Sequence, residues 1–295
     1  RDAQESRGLG DVYKRQPEDS GLKQERVKQL QYTLDQALIK EAMEAPADNA
    51  RLYVAAYSVK SQVSLSSQRA KSQQCTAYGV GGDFFRFHNY ELISGSYLME
   101  DSIANDQVVI DEEAAWKIFG AIEVDGMTLT YNGKEYTVQG VVKPQDGYKA
   151  KAGGAESGTV FFPLEAIGQD ADCYEIIFPN PVSGFALKQV KEAFTACGYS
   201  EDDIRIIDNS ERYSFVNSAK RVLKWTDKGM AFKALKYPYW ENSAIAVENI
   251  VDLLTFFRII FIIPPIAIVI ISVICFHPIH RLKLLILRIV EHFRK

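Results

Sequence analysis

The sequence is poor in the residues that build disulfide frameworks and metal centres. It has four cysteines and four histidines in 295 residues. Cys275 lies in a long apolar run, which leaves Cys75, Cys173 and Cys197 as an odd number at irregular spacing. This pattern does not fit a disulfide framework. It favours three separate buried thiols, with a single bridge between Cys173 and Cys197 as the alternative.

Signatures of catalysis are missing as well. The sequence contains no nucleophile elbow and no paired-cysteine metal motif. The glycine-rich loop at residues 153–159 has no lysine before its hydroxyl residue, so it lacks the charge of a phosphate-binding P-loop. His277 and His280 have no third ligand beside them, and His88 stands alone. We therefore predict a protein that is not an enzyme, with no catalytic residue, cofactor site or metal site.

The chain also lacks an initiator methionine, a signal peptide and a second hydrophobic run. A large external domain before a single span needs something upstream to export it, so we expect a cut N-terminus and a first transmembrane helix lost just before Pro17. Residues 1–16 resemble a translated linker and are predicted to lie outside the fold. The net charge of −4 argues against a nucleic-acid partner.

What the sequence does contain is one long apolar run. Residues 259–276 form about 18 residues without a formal charge, which is near the minimum for a helix that crosses a bilayer. We predict a transmembrane helix at 251–276, with Pro264 and Pro265 tolerated as a kink in lipid. Lysine and arginine are in excess after the run, which predicts a cytoplasmic tail at 277–295 and an external domain at 17–250.

The tail has the pattern of a basic amphipathic helix. Four apolar residues share one helical stripe, and four basic residues share another: Leu282, Ile286, Ile289 and Phe293, then Arg281, Arg288, His292 and Lys295. Such a helix suits the inner surface of a membrane. The alternative is that the tail only anchors the span.

The first half of the external domain gives mixed signals. Residues 22–44 have helical periodicity with Val27, Leu30, Leu34 and Leu38 on one side. Residues 51–65 alternate in a β manner, and we predict two strands with a tight turn near Lys60. Residues 66–74 are predicted to be a polar loop.

A strand, a capped helix and a hairpin follow. Residues 108–110 predict a short strand, after which Asp111 can cap a helix that ends at Gly120. Asn132-Gly133 favours a two-residue type I′ turn. That turn would place Tyr131 opposite Lys134, Leu129 opposite Tyr136 and Met127 opposite Val138, with the larger apolar residues on one face.

The remaining residues predict further short elements. We expect a loop at 150–158, strands at 159–164, 174–178 and 204–207, and a helix at 187–197. A long helical pattern from residue 216 is broken at Tyr237-Pro238, and residues 244–254 lead into the membrane. The aromatic residues Tyr237, Tyr239 and Trp240 are predicted to pack against the external domain rather than against lipid.

Three stretches carry a family resemblance. Residues 79–98 (GVGGDFFRFHNYELISGSYL), 107–120 (QVVIDEEAAWKIFG) and 126–142 (GMTLTYNGKEYTVQGVV) resemble, in order and spacing, the extracytoplasmic core domain of MacB-type ABC-transporter permeases. The resemblance implies an α+β fold of two small subdomains above the bilayer, followed by the transmembrane helix and the short amphipathic cytoplasmic helix. The family usually has further spans after the external domain.

The resemblance also implies a function and partners. It implies a permease subunit that couples ATP hydrolysis by a separate ABC-type ATPase to movement of the external domain, and so exports a substrate. The partners implied are this ATPase and the lipid bilayer. A second copy of the permease is a further partner that the resemblance leaves open. The tail then becomes the candidate ATPase-coupling or membrane-surface helix, with Arg281, Leu282, Ile286, Arg288, Ile289 and Phe293 as its site residues. The alternative is an FtsX-like membrane scaffold that regulates an extracellular partner such as a cell-wall hydrolase.

Overall fold

A ten-stranded sheet forms the centre of the fold in the computed structural model, which describes residues 7–14, 22–43, 51–69, 71–99, 105–200, 204–224 and 238–293. The strands are β1 Arg7–Lys14, β2 Val54–Leu65, β3 Gln73–Gly82, β4 Leu92–Gly95, β5 Gln107–Asp111, β6 Thr128–Tyr131, β7 Lys134–Val142, β8 Thr159–Pro163, β9 Cys173–Pro179 and β10 Ile204–Asp208. Their order is β10-β1-β9-β2-β3-β8-β5-β7-β4, with β6 paired to β7.

Eight helices accompany the sheet within these ranges. They are α1 Gln24–Lys40, α2 Phe84–Phe87, α3 Glu112–Phe119, α4 Gly147–Gly153, α5 Leu164–Ile167, α6 Phe185–Ala196, α7 Phe215–Leu223 and α8 Tyr239–Phe293. The strand pairs β3 with β8 and β5 with β7 are parallel, and the other pairs are antiparallel. The mixture of helices and mainly antiparallel strands confirms the predicted α+β class.

The chain divides into two compact units. The sheet domain comprises Arg1–Arg212 and Gly229–Ala246, and the helical unit comprises Tyr213–Lys228 and Val247–Lys295. Helix α8 belongs to the sheet domain up to Ala246 and to the helical unit from Val247. The sequence predicted two small α+β subdomains, whereas the structure joins all ten strands into one continuous sheet.

Apolar residues pack on both faces of this sheet, because successive side chains of a strand point to opposite faces. In β8, Phe162 packs into the larger cluster with α1, α3 and α6, and Phe161 packs into a smaller cluster on the other face. Val108 and Val109 of β5 divide in the same way. We call the smaller group, which includes Ala56, Tyr78, Val80, Phe84, Tyr90, Val109, Val142 and Phe161, the second core.

The capped helix and the hairpin form as predicted. Asp111 Oδ1 accepts a hydrogen bond from the backbone N–H of Ala114 at 2.7 Å, and Gly120 ends α3 in the left-handed conformation. Asn132 and Gly133 have φ of 49° and 77°, which suits the type I′ turn. Strand pairing places Tyr131 opposite Lys134 and Leu129 opposite Tyr136. The burial of Leu129, Tyr131, Tyr136 and Val138 confirms the predicted apolar face, but Met127 is 45% exposed.

Asp111 also holds β8 in place. Its second carboxylate oxygen, Oδ2, accepts from the backbone N–H of Thr159 at 2.8 Å. Burial raises the pKa of the Asp111 carboxyl, and the hydrogen bonds from Ala114, Thr159 and Gly158 oppose that shift. One side chain therefore fixes both the start of α3 and the start of β8.

The segment at 51–65 was predicted wrongly. It forms the single strand β2, which pairs with β9 and β3 and has no turn near Lys60. No Gly, Pro, Asn or Asp lies between Tyr53 and Leu65, so the chain lacks the residues that most strongly favour a tight turn there.

Two further segments differ from expectation. The predicted loop at 66–74 ends early because β3 begins at Gln73, and the first part of the predicted loop at 150–158 belongs to α4. Residues 1–16 were expected to lie outside the fold, but Arg7–Lys14 form β1, which pairs with both β9 and β10.

The three cysteines of the sheet domain are buried thiols, as favoured from the sequence, and no disulfide bridge joins Cys173 to Cys197. Burial raises the pKa of the Cys75 thiol to about 11. A thiol with so high a pKa is poorly nucleophilic at neutral pH.

Candidate coupling site

The candidate site is the place where α8 joins the sheet domain. Trp240 lies on the second core, with ring centroids 5.7 Å from Tyr78, 5.9 Å from Phe84 and 4.2 Å from His88. The Tyr239 hydroxyl lies 2.8 Å from the hydroxyl of Tyr90. The prediction that Tyr239 and Trp240 pack against the external domain is confirmed, and Tyr237 lies outside the described residues.

A buried ion pair holds the first turn of α8 to the chain just after β10. Arg212 Nη1 donates to Glu241 Oε2, and Arg212 Nη2 donates to Glu241 Oε1, each at 2.8 Å. The two side chains are 7% and 2% exposed. Bidentate geometry of this kind fixes the relative orientation of both side chains. Because both side chains are almost fully buried, loss of either partner would leave the other charge buried without its ion-pair partner.

Helix α4 also packs closely against the first turns of α8. The Ser243 hydroxyl oxygen lies 2.7 Å from the carbonyl oxygen of Lys149. A Cβ atom at Gly153 would lie 2.1 Å from that hydroxyl oxygen and 2.2 Å from the carbonyl oxygen of Tyr239. Only glycine fits at 153 without a shift of α8, so the glycine of the predicted loop serves helix packing.

His88 has a partner that the sequence did not reveal. Its Nε2 lies 2.8 Å from Glu175 Oε2, and both side chains are buried. The ring of His88 also packs 4.4 Å from that of Phe84. This pair fixes α2 and the residues after it against β9, on the side of the sheet where Trp240 lies.

The second core is strongly desolvated around this junction. Burial raises the pKa of Tyr90 well above its usual value, with the nearby Tyr239 as a smaller cause. Burial likewise raises the pKa of Tyr78. These phenols stay neutral and serve as packing and hydrogen-bonding groups.

Helix α8 contains the apolar run. Within the described ranges, one helix is long and apolar enough to cross a membrane, at Tyr239–Cys275, and none of its most apolar stretch is buried. The helix continues through Pro264 and Pro265 without a break. Its exposed apolar side chains include Phe261, Ile268 and Ile274.

The predicted tail residues lie near the end of α8. The side chains of Leu282, Ile286 and Ile289 are exposed, and so are those of Leu284 and Leu287, which lie outside the predicted apolar stripe. Arg281, Arg288 and Phe293 have helical backbone, but their side chains lie outside the described part of the chain.

The sequence profile of the MacB-like periplasmic core domain matches residues 2–196, which is more than half of the chain. The chain belongs to this MacB-like family. The family is a component of transporter permeases rather than an enzyme. Together with α8, the MacB-like domain indicates a membrane protein with an extracytoplasmic domain. No curated protein sequence matches the chain.

Solved structures of similar domains overlap with the MacB-like chain. The periplasmic region of MacB from Actinobacillus actinomycetemcomitans is 20% identical, with a TM-score of 0.48 over 75% of this chain and 92% of that chain. The extracellular domain of the noncanonic ABC-type transporter YknZ from Gram-positive bacteria is 10% identical, with a TM-score of 0.47 over 68% and 99%. A permease domain from Porphyromonas gingivalis is 12% identical, with a TM-score of 0.41 over 70% and 90%. Family membership rests on the sequence profile.

Proposed function

We propose that this MacB-like chain is a permease subunit that couples ATP hydrolysis by a separate ABC-type ATPase to movement of its external domain, and so drives export of a substrate. The observation that carries the proposal is the buried attachment of α8 to the sheet domain. Trp240, the Arg212–Glu241 pair and the contact at Gly153 fix the first turns of the same helix that contains the apolar run.

Such an attachment suits coupling because a helix fixed by buried contacts cannot move at its root without displacing its neighbours. In this proposal the tail at 277–295 lies on the cytoplasmic side and receives the movement of the ATPase. The domain would have two packings whose populations depend on the nucleotide state of the ATPase. Export then follows from the alternation between these packings.

A pull-down of the full chain from its native membrane in detergent tests the partner. We expect an ABC-type ATPase in stoichiometric amount, and we expect the double variant Arg281→Glu/Arg288→Glu to lose it while it still fractionates with the membrane. The reversed charges would repel any acidic docking surface on the ATPase.

The control is Lys28→Glu/Lys40→Glu, a double charge reversal of the same sign at exposed positions of α1, which should retain the ATPase. An extracellular hydrolase without an ATPase in the pull-down would contradict the transport proposal and favour the FtsX-like scaffold. Retention of the ATPase by the double variant would contradict the role of the tail.

A further inference from the structure

The contact between α7 and α8 in the helical unit is polar, whereas packed helices of soluble proteins usually bury apolar residues against each other. We call this polar contact the seam. Arg221 of α7 donates from Nη2 to Asp252 Oδ1 at 2.8 Å and pairs through Nε with Glu248 Oε1 at 3.0 Å. Its Nη2 also donates to the Ser218 hydroxyl at 2.9 Å. Ser218 and Asp252 are fully buried, and Thr255 is 6% exposed. Glu248, Asp252 and Thr255 are spaced at i, i+4 and i+7, so they form one stripe of α8.

Several large apolar residues of the same two helices are exposed. Val216 and Leu223 of α7 are 60% and 82% exposed. On α8, Ile250, Leu253 and Leu254 are exposed as well. A helix pair in water buries its apolar stripes and exposes its polar ones. Large apolar side chains that stay exposed on a helix pair therefore mark a surface that an apolar partner can cover.

The contacts also fix the level of α7 along α8. Arg258 lies over the ring of Phe215, at 4.8 Å from its centroid, whereas Arg221 pairs with Glu248 and Asp252. The two helices are therefore antiparallel, and the N-terminal end of α7 lies beside Arg258. This arginine immediately precedes the apolar run at 259–276, so Phe215 lies at the level where that run begins.

The length of the apolar run places Phe215 and Arg258 at the boundary of the membrane. The run at 259–276 is about 27 Å long at 1.5 Å per residue, which is close to the hydrocarbon thickness of about 30 Å. The headgroup layer adds roughly 5–8 Å on each side. The first turn of α7 therefore falls within the outer headgroup layer if the run fills the hydrocarbon, whereas Asp252 and Glu248, roughly 10 and 16 Å from Ile259 along α8, lie on its water side.

We propose that the N-terminal half of α7 inserts its apolar side, led by Phe215 and Val216, into the outer leaflet beside the membrane-spanning helix, and that the seam of Arg221, Asp252 and Glu248 holds it there. The partner of this surface is the lipid bilayer. Tyr213, which is 46% exposed just before the helix, has the apolar body and polar tip typical of the membrane interface. The inference requires α8 to span the membrane and does not require the ATPase.

Spin labelling of the full chain tests this surface. A label is placed at Val216→Cys in a Cys275→Ala background, in vesicles of phosphatidylcholine and phosphatidylglycerol, and its collisions with oxygen are compared with those with a water-soluble nickel complex. Ile263→Cys on the apolar run is the lipid-facing control, and Tyr148→Cys, exposed in the sheet domain, is the water-facing control. We expect the oxygen-to-nickel ratio at 216 to lie between those at 148 and 263, and to exceed that at 148 several-fold.

Each other result overturns the proposal in a distinguishable way. A ratio at 216 equal to that at 148 would place α7 in water. An immobilised label shielded from both reagents would mean that another helix or a second copy covers the surface. A low ratio at 263 would mean that α8 does not span the membrane. In a second variant, Arg221→Ala, the ratio at 216 should fall several-fold, and an unchanged ratio would contradict the role of the seam.

Discussion

The Arg212→Ala variant is expected to lose about 3–5 kcal/mol in the free energy of unfolding of the sheet domain. The substitution leaves the Glu241 carboxylate 2% exposed at the first turn of α8, with both of its hydrogen bonds from Arg212 removed. A buried charge that loses its ion-pair partner is among the most destabilising changes that a single substitution can make. Urea unfolding of the full chain in detergent, followed by tryptophan fluorescence, measures the loss.

The control is Arg86→Ala, since Arg86 forms an ion pair with Asp83 but its side chain is 74% exposed. It should cost less than about 1 kcal/mol. The double variant Arg212→Met/Glu241→Leu should recover much of the stability lost by either single variant, because it removes both buried charges. An Arg212→Ala variant as stable as Arg86→Ala would show that the pair does not fix α8 to the domain.

The second large effect is expected at Phe161. Replacement of this fully buried ring by alanine should cost about 3–5 kcal/mol, since it removes apolar contacts and leaves a cavity in the second core. The ring packs 5.4 Å from Phe85 and 4.9 Å from Tyr90, beside the aromatic residues on which Trp240 lies. We therefore expect faster hydrogen exchange of the backbone amides at 239–246 in the variant.

Phe162→Ala is the matched control. Phe162 is also fully buried, but it packs on the opposite face of the sheet against Tyr131 and Tyr136. Its loss should lower stability by a similar amount without a selective effect at 239–246. Equal increases in exchange at these amides in both variants would contradict a specific link between the second core and the root of α8.

Local chemistry made some elements predictable. Asp111 caps a helix and Asn132-Gly133 closes a hairpin through contacts within a few residues, and both follow from backbone geometry that the sequence encodes directly. The run at 259–276 was equally clear, because its length reaches that of a membrane span, and the structure leaves the most apolar stretch of α8 unburied. The burial of Leu30 and Leu34 likewise followed from helical spacing.

Long-range pairing was not predictable from the same patterns. β2 was read as two strands because its alternation is interrupted at Lys60-Ser61, yet pairing with both β3 and β9 keeps it extended. The partners in the candidate site are far apart in sequence: Arg212 and Glu241 are 29 residues apart, and His88 and Glu175 are 87 apart. Only the tertiary packing of helices, strands and connecting segments brings such residues together. A buried ion pair has no signal in a single sequence, since charged residues are usually exposed.

Hydrogen exchange of the full chain, copurified with its ATPase in lipid nanodiscs, tests most directly the claim that the external domain responds to the nucleotide. The comparison is between the nucleotide-free complex and the complex trapped with ATP and vanadate. We predict a change in amide exchange at the root of α8, residues 239–246, and in the adjoining segment from Phe84 to Tyr90. Identical exchange of both segments in the two states would contradict coupling through α8.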